Sequence, residues 1–162
     1  MNGSTEHRAS DAGEMPSRSQ AVLNLGTARR MLPLVGRIVA DLLQQQRLVD
    51  QLGPEQEQLD RDRRTLSWPQ RQRRYQIHEE LATSQRQLVE ALAELESLGV
   101  ALVDRQLGQV GLPTVVNGRL AYFSWKPEET TIQYWHFANE TTRRTVPPSW
   151  SETAVTSVRK KT

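Results

Sequence analysis

The stretch PTVVNGRLAYFSW, Pro113 to Trp125, decides how the second half of the chain folds. Asn117-Gly118 sits between two runs in which apolar and polar residues alternate. Asn-Gly is the favoured pair for a two-residue turn that needs positive φ at both central positions, and alternation sends successive side chains to opposite faces, so the stretch predicts a β-hairpin. On its C-terminal side Lys126-Pro127-Glu128-Glu129 reads as a turn by composition. The following TTIQYWHF, residues 130–137, reads as a third strand. On its N-terminal side VALVD, residues 100–104, is a further short strand candidate. A small three-stranded antiparallel sheet is expected over about 100–137.

Before Gly99 the apolar period changes from two to that of a helix. Ile77, Leu81, Leu88, Ala91, Leu95 and Leu98 share one face of a pattern over about 70–98, with Pro69 suited to its first turn and Gly99 to its stop. An earlier pattern covers about 25–52. There Ala28, Leu32, Val35, Val39, Leu42 and Val49 recur at alternating steps of four and three, a coiled-coil-like seam with Gln46 in its one polar slot. Asn24 is a good N-cap and Gly53-Pro54 a fitting stop, while Pro33 either kinks this helix or begins it. The fold class is α+β, a long antiparallel helical hairpin packed on the sheet, as one domain over 21–150. Residues 1–20 and 151–162 are poor in large apolar side chains and read as disordered tails.

Composition narrows the classes. The chain has 162 residues, which suits one domain. No cysteine is present, which removes disulfides, thiolate zinc sites and cysteine nucleophiles and agrees with a reducing compartment such as the cytosol. The most hydrophobic run, MLPLVGRIVADLL, is interrupted by Arg37 and Asp41 and is too short to span a bilayer, so a soluble protein is expected. A net charge of +2 offers little long-range attraction for nucleic acid or anionic lipid.

Three segments, LNLGTARRMLP, LESLGVALVD and FSWKPEETTIQYWH, together resemble a bacterial family known as domain of unknown function 2203, over about Leu23 to Asn139. The resemblance rests on Met31-Leu32-Pro33 in the first helix, Glu94 to Val100 at the end of the second, and Trp125, Pro127, Glu128, Tyr134, Trp135 and His136 in the closing signature. It implies the domain boundaries and no reaction. Members of that family follow the histidine with an acidic residue and a glycine-rich loop, where this chain has FANETTRRTVPP, residues 137–148. An anion site on a flexible glycine loop is therefore not carried over, because Thr141 and Thr142 lack glycine's conformational range.

Candidate chemistry is sparse. His78-Glu79-Glu80 begins like a zinc-protease helix, but position 82 is Ala where the second ligand would stand. His136 has Glu128, Glu129 and Glu140 nearby in sequence, and Asp104 could join them across the sheet; of these, His136 with Glu128 and Glu140 is the set that could hold a divalent ion, or a carboxylate could act with the histidine as general base. The competing reading is a histidine hydrogen-bonded at the rim of a packed sheet, since alternation puts Ile132, Tyr134 and His136 on one face and Gln133, Trp135 and Phe137 on the other. No catalytic residue is assigned and no cofactor is specified. The arginines from Arg61 to Arg74, with Trp68 and Tyr75, could grip a nucleic-acid backbone, yet Glu55, Glu57, Asp60 and Asp62 interleave with them, which argues for a salt-bridged connector.

The aromatic density of Tyr122 to Phe137 is mostly sheet packing, but aromatics on both faces leave one in want of a cover. The expectation is a binding or scaffolding module that self-associates or meets a protein partner through Trp125, Tyr134, Trp135, Leu42 and Val49. The alternatives are a ligand or metal protein built on His136, and weak nucleic-acid binding by the arginine connector.

Overall fold

The computed structural model describes residues 22–150; the tails expected at 1–20 and 151–162 lie outside them. Two helices, α1 (Leu25–Arg61) and α2 (Trp68–Ser97), precede five strands: β1 (Ala101–Asp104), β2 (Gln109–Val116), β3 (Arg119–Trp125), β4 (Tyr134–Phe137) and β5 (Arg144–Thr145). The class is α+β, and the sheet is an antiparallel meander in the order β1-β2-β3-β4-β5. The expected three strands are corrected to five. β1 is the short candidate at 100–104, and β5, two exposed residues long, is too short to carry any period.

The helix boundaries follow local chemistry at three of four ends. Asn24 caps α1 by accepting the Thr27 amide at 2.7 Å, and α2 opens with a capping box between Ser67 and Gln70. α2 closes at Gly99, whose φ of +73° suits glycine. The fourth end departs from expectation: α1 does not stop at Gly53-Pro54 but runs to Arg61, with Pro33 and Pro54 both inside it. A helical residue before proline is opposed by contact of its N–H and Cβ with the ring, and Gly53 is spared the Cβ part of that clash. Leu52 on one side of the break and Leu59 on the other pack with Ile77 and Leu81 of α2, holding the helix together across it. Pro54 is exposed, so Pro54→Ala should restore a helical hydrogen bond and raise stability by about 1–2 kcal/mol in a urea melt; an unchanged or lower midpoint would refute this explanation.

The Asn117-Gly118 hairpin forms as expected, with φ of 53° and 73° joining β2 to β3. Pro113 is tolerated inside β2 because it lies just past the end of β1, whose pairing reaches only Gly111. Its carbonyl accepts the Leu23 amide at 2.8 Å, so that edge faces the segment leading into α1, and the missing N–H interrupts no strand ladder. Gly111 lets the Tyr122 ring lie flat across β2: a Cβ there would come within 2.8 Å of the ring.

The core has two parts. The larger joins Ala28, Val35, Val39 and Leu42 of α1 with Leu88, Ala91 and Leu95 of α2 and the inner sheet face of Val110, Leu112, Phe123, Trp125 and Trp135. The smaller, Leu52, Ile77 and Leu81, contains no sheet residue and zips the far half of the hairpin. Each buried Val, Leu, Ile or Phe among them contributes about 1.5–3 kcal/mol of transfer free energy, and the two alanines less. The helical hairpin therefore projects beyond the sheet, with its inward stripe covered by its own second helix.

Candidate functional site

The sheet aromatics are covered from within the chain. Trp125 and Trp135 are each 7% exposed and Leu42 is fully buried, so these three belong to the core. Val49 and Tyr134 are half-buried. Trp150 packs over Trp135 and Phe123 at centroid distances of 5.2 and 6.3 Å. Arg144 and Arg119 sit over Phe137, and Arg143 stacks on Tyr134 with its guanidinium carbon 4.3 Å from the ring centre. Ile132 does not share the outer face with Tyr134 and His136: residues 130–133 are not strand, and Ile132 turns into the larger core.

His136 is 3% exposed. Its Nδ1 lies 2.8 Å from the Phe137 carbonyl, which can only accept, so Nδ1 carries the proton. The ring leans on Tyr122 at 5.8 Å. Its Nε2 has no hydrogen-bond partner in the described structure. Glu140 is ion-paired to Arg144 at 2.9 Å, and Glu128 is exposed beside Pro127 and Leu107. Among the described residues no three His, Asp or Glu side chains come together as metal ligands.

The structure assembles a different polar cluster on the outer sheet face, from residues far apart in sequence. Arg143 grips Glu129 with two hydrogen bonds of 2.6 and 3.0 Å and donates Nε–H to the Ser124 hydroxyl at 2.8 Å. Gln109 donates to the same hydroxyl at 3.1 Å, and the Trp125 indole donates to the Glu129 carbonyl at 2.9 Å. Two donors aimed at Ser124 Oγ occupy its acceptor sites, and the arginine is neutralised by its carboxylate. This cluster clamps the 126–133 connection to the chain entering β5. Its arginine comes from the segment where the sequence departs from the glycine-rich pattern, and nothing in a linear reading links it to Glu129.

The far half of the hairpin carries paired and unpaired charge. Arg73 donates to both Glu55 oxygens at 2.8 and 3.1 Å, and those hydrogen bonds hold the Glu55 carboxyl below the ordinary carboxylate range. Asp60 is held low first by Arg74 at 2.7 Å and then by His78 at 3.2 Å. Gln56 donates to the other nitrogen of His78, so that ring carries its proton on Nε2 and serves as a strut between the helices. Among the described residues Arg61, Arg63, Arg64 and Arg71 have no ion pair, and neither do Glu79, Glu80, Glu90, Glu94 and Glu96.

On α2, Trp68, Tyr75 and Val89 are 68%, 74% and 66% exposed. Together with exposed Ala82 they recur every seventh residue, opposite the buried stripe of Ile77, Leu81, Leu88 and Leu95. That spacing is present in the sequence, but the stronger inward stripe dominates the pattern and hides it. No described helix is long and apolar enough to cross a membrane.

A family model described as "Uncharacterized conserved protein (DUF2203)" matches residues 22–145. No curated protein and no solved structure matches the chain.

Proposed function

The chain belongs to the DUF2203 family of uncharacterized conserved proteins, and from that premise we propose that it is a non-catalytic binding or scaffolding module that acts by associating with a second protein surface. The observation that carries this reading is the exposed row of Trp68, Tyr75 and Val89 along one helix. Single exposed apolar side chains are ordinary; an aligned set on a rigid element marks an interface. Large aromatics supply much contact area at low conformational cost, which suits association better than bulk solvent. Among the described residues the Ser124, Arg143 and Glu129 cluster is no rival to it, since these three satisfy one another.

Native mass spectrometry of the purified chain from low to moderate salt tests the proposal. The expected result is a complex of protein masses with no small-molecule or metal adduct. A monomer that retains an ion or ligand would overturn it in favour of a site at His136. A monomer that binds single-stranded nucleic acid with affinity falling steeply in salt would overturn it in favour of the arginine-rich tip.

A further inference from the structure

α2 is charged against its own dipole. Its first turn contains no acidic residue and its last turn no basic one, while Arg71, Arg73 and Arg74 lie near the start and Glu90, Glu94 and Glu96 near the end. A helix favours the reverse, by about 0.3–1 kcal/mol for each charge close to an end. Arg73 and Arg74 are explained inside the chain, where Glu55 and Asp60 of α1 receive them. Arg71 and Glu90 have no charged partner: both are exposed on the outer face of α2 and neither is in an ion pair, and Arg71, whose Nε donates to the Leu66 carbonyl at 3.2 Å, keeps its charge without a carboxylate to offset it. A helix that is basic at one end and acidic at the other is complementary to its own reversed copy.

Resting on the reading of the chain as an association module, we infer that it pairs with a second copy of itself through the outer face of α2. The two helices run antiparallel about a twofold axis between residues 80 and 81. That register follows from placing Arg71 of each copy against Glu90 of the other. In that register both exposed aromatics find suitable partners, while Val89 lies against Gln72 and Ala82 against Glu79. Trp68 meets Ala93, a small residue opposite the largest one, and Tyr75 meets Arg86, an aromatic face opposite a guanidinium. Ala82 lies beside the axis, where a short side chain lets the helices approach closely. The residues concerned are all exposed in the single chain. The paired face, from 68 to 93, is about 38 Å long at 1.5 Å per residue, the length of a short antiparallel coiled coil. Twofold symmetry makes each contact twice, which is why a modest surface suffices.

The α1 side of α2 is already occupied by Leu52, Leu59 and the larger core, so the outer face is the side left for a partner. A second copy is preferred over an unrelated protein because the complement is present in the same helix, in the order that reversal requires. A nucleic-acid strand would be favoured by Arg71 and Trp68 but repelled by Glu79 and Glu90 along the same face.

The experiment is sedimentation equilibrium of the full chain and four variants, each first checked for an unchanged far-ultraviolet spectrum. Arg71→Glu and Glu90→Arg should each weaken the dimer by about tenfold or more, because each places like charges together at two symmetry-related contacts. The double variant Arg71→Glu/Glu90→Arg restores the pair with its polarity reversed and should return to within about threefold of the parent. Trp68→Ala should weaken the dimer without depending on salt. A parent dimer indifferent to all four variants would overturn the α2 interface while leaving the association reading standing. A parent monomeric at every concentration would overturn the α2 pairing, and such a monomer with a retained ligand or bound nucleic acid would overturn both.

Discussion

Phe123→Ala should lower the unfolding free energy by about 3–5 kcal/mol. Phe123 is fully buried at the middle of β3, paired with Leu112 of β2 on one side and Trp135 of β4 on the other. Trp150 meets its ring edge-on at 6.3 Å. Deleting the ring removes its transfer free energy and also leaves a cavity, because strands on both sides hold the backbone in place. Urea denaturation with fluorescence detection is suited to the measurement, since two tryptophans line the cavity. Phe123→Leu should cost about 1–2 kcal/mol, and the denaturant slope should stay near the parent value in both. A loss under about 1 kcal/mol for the alanine variant would mean that the sheet collapses onto the helices around the gap, and that Phe123 is not the keystone of the larger core.

Arg143→Ala should cost about 2–3 kcal/mol, more than an ordinary surface ion pair, because the two partners are only 19% and 13% exposed at their side chains. Removal of the guanidinium takes two charge-assisted hydrogen bonds from Glu129, one from Ser124 and the stacking contact from Tyr134. What makes it costly is the Glu129 carboxylate left behind in a mostly covered position. The double variant Arg143→Ala/Glu129→Gln should therefore be more stable than Arg143→Ala alone, with about 1 kcal/mol or more regained. Equal stability of the single and double variants would show that water reaches Glu129 freely and that the clamp is not held by charge. Neither Arg143 variant touches α2, so neither should alter the association state beyond its effect on folding.

The two halves of the molecule differ in how far they can be read from the sequence. The helices announce their ends through short-range chemistry: Asn24 and Ser67 accept orphan amides with their side-chain oxygens, and Gly99 and Asn117-Gly118 take φ values that few other residues adopt. Those signals depend on neighbours one to four residues away. The Gly53-Pro54 stop fails because it rests on the same local rule, whereas Leu52 and Leu59 are held by Ile77 and Leu81 across the hairpin. β5 escapes a linear reading because two residues exposed on an edge have no pattern to show. The aromatic cluster is visible in the sequence, but its cover, Trp150 and the arginines that follow β4, exists only once the chain has folded back on itself.

By itself, then, the sequence determined the α+β class, the helical hairpin, the β2–β3 turn, the apolar face of each helix and the family to which the chain belongs. Each of these is set by caps, turns and periodicities within a few residues, or by the order of several motifs. Tertiary structure alone decided which apolar surface remains outside. It buried Trp125, Trp135 and Leu42, joined Arg143 to Glu129, tied Glu140 to Arg144, and left the row of Trp68, Tyr75 and Val89 bare. The reason is that exposure is a property of what packs against a face. A helix of this length has two long faces, and only the arrangement of α1 and the sheet determines which of them is covered.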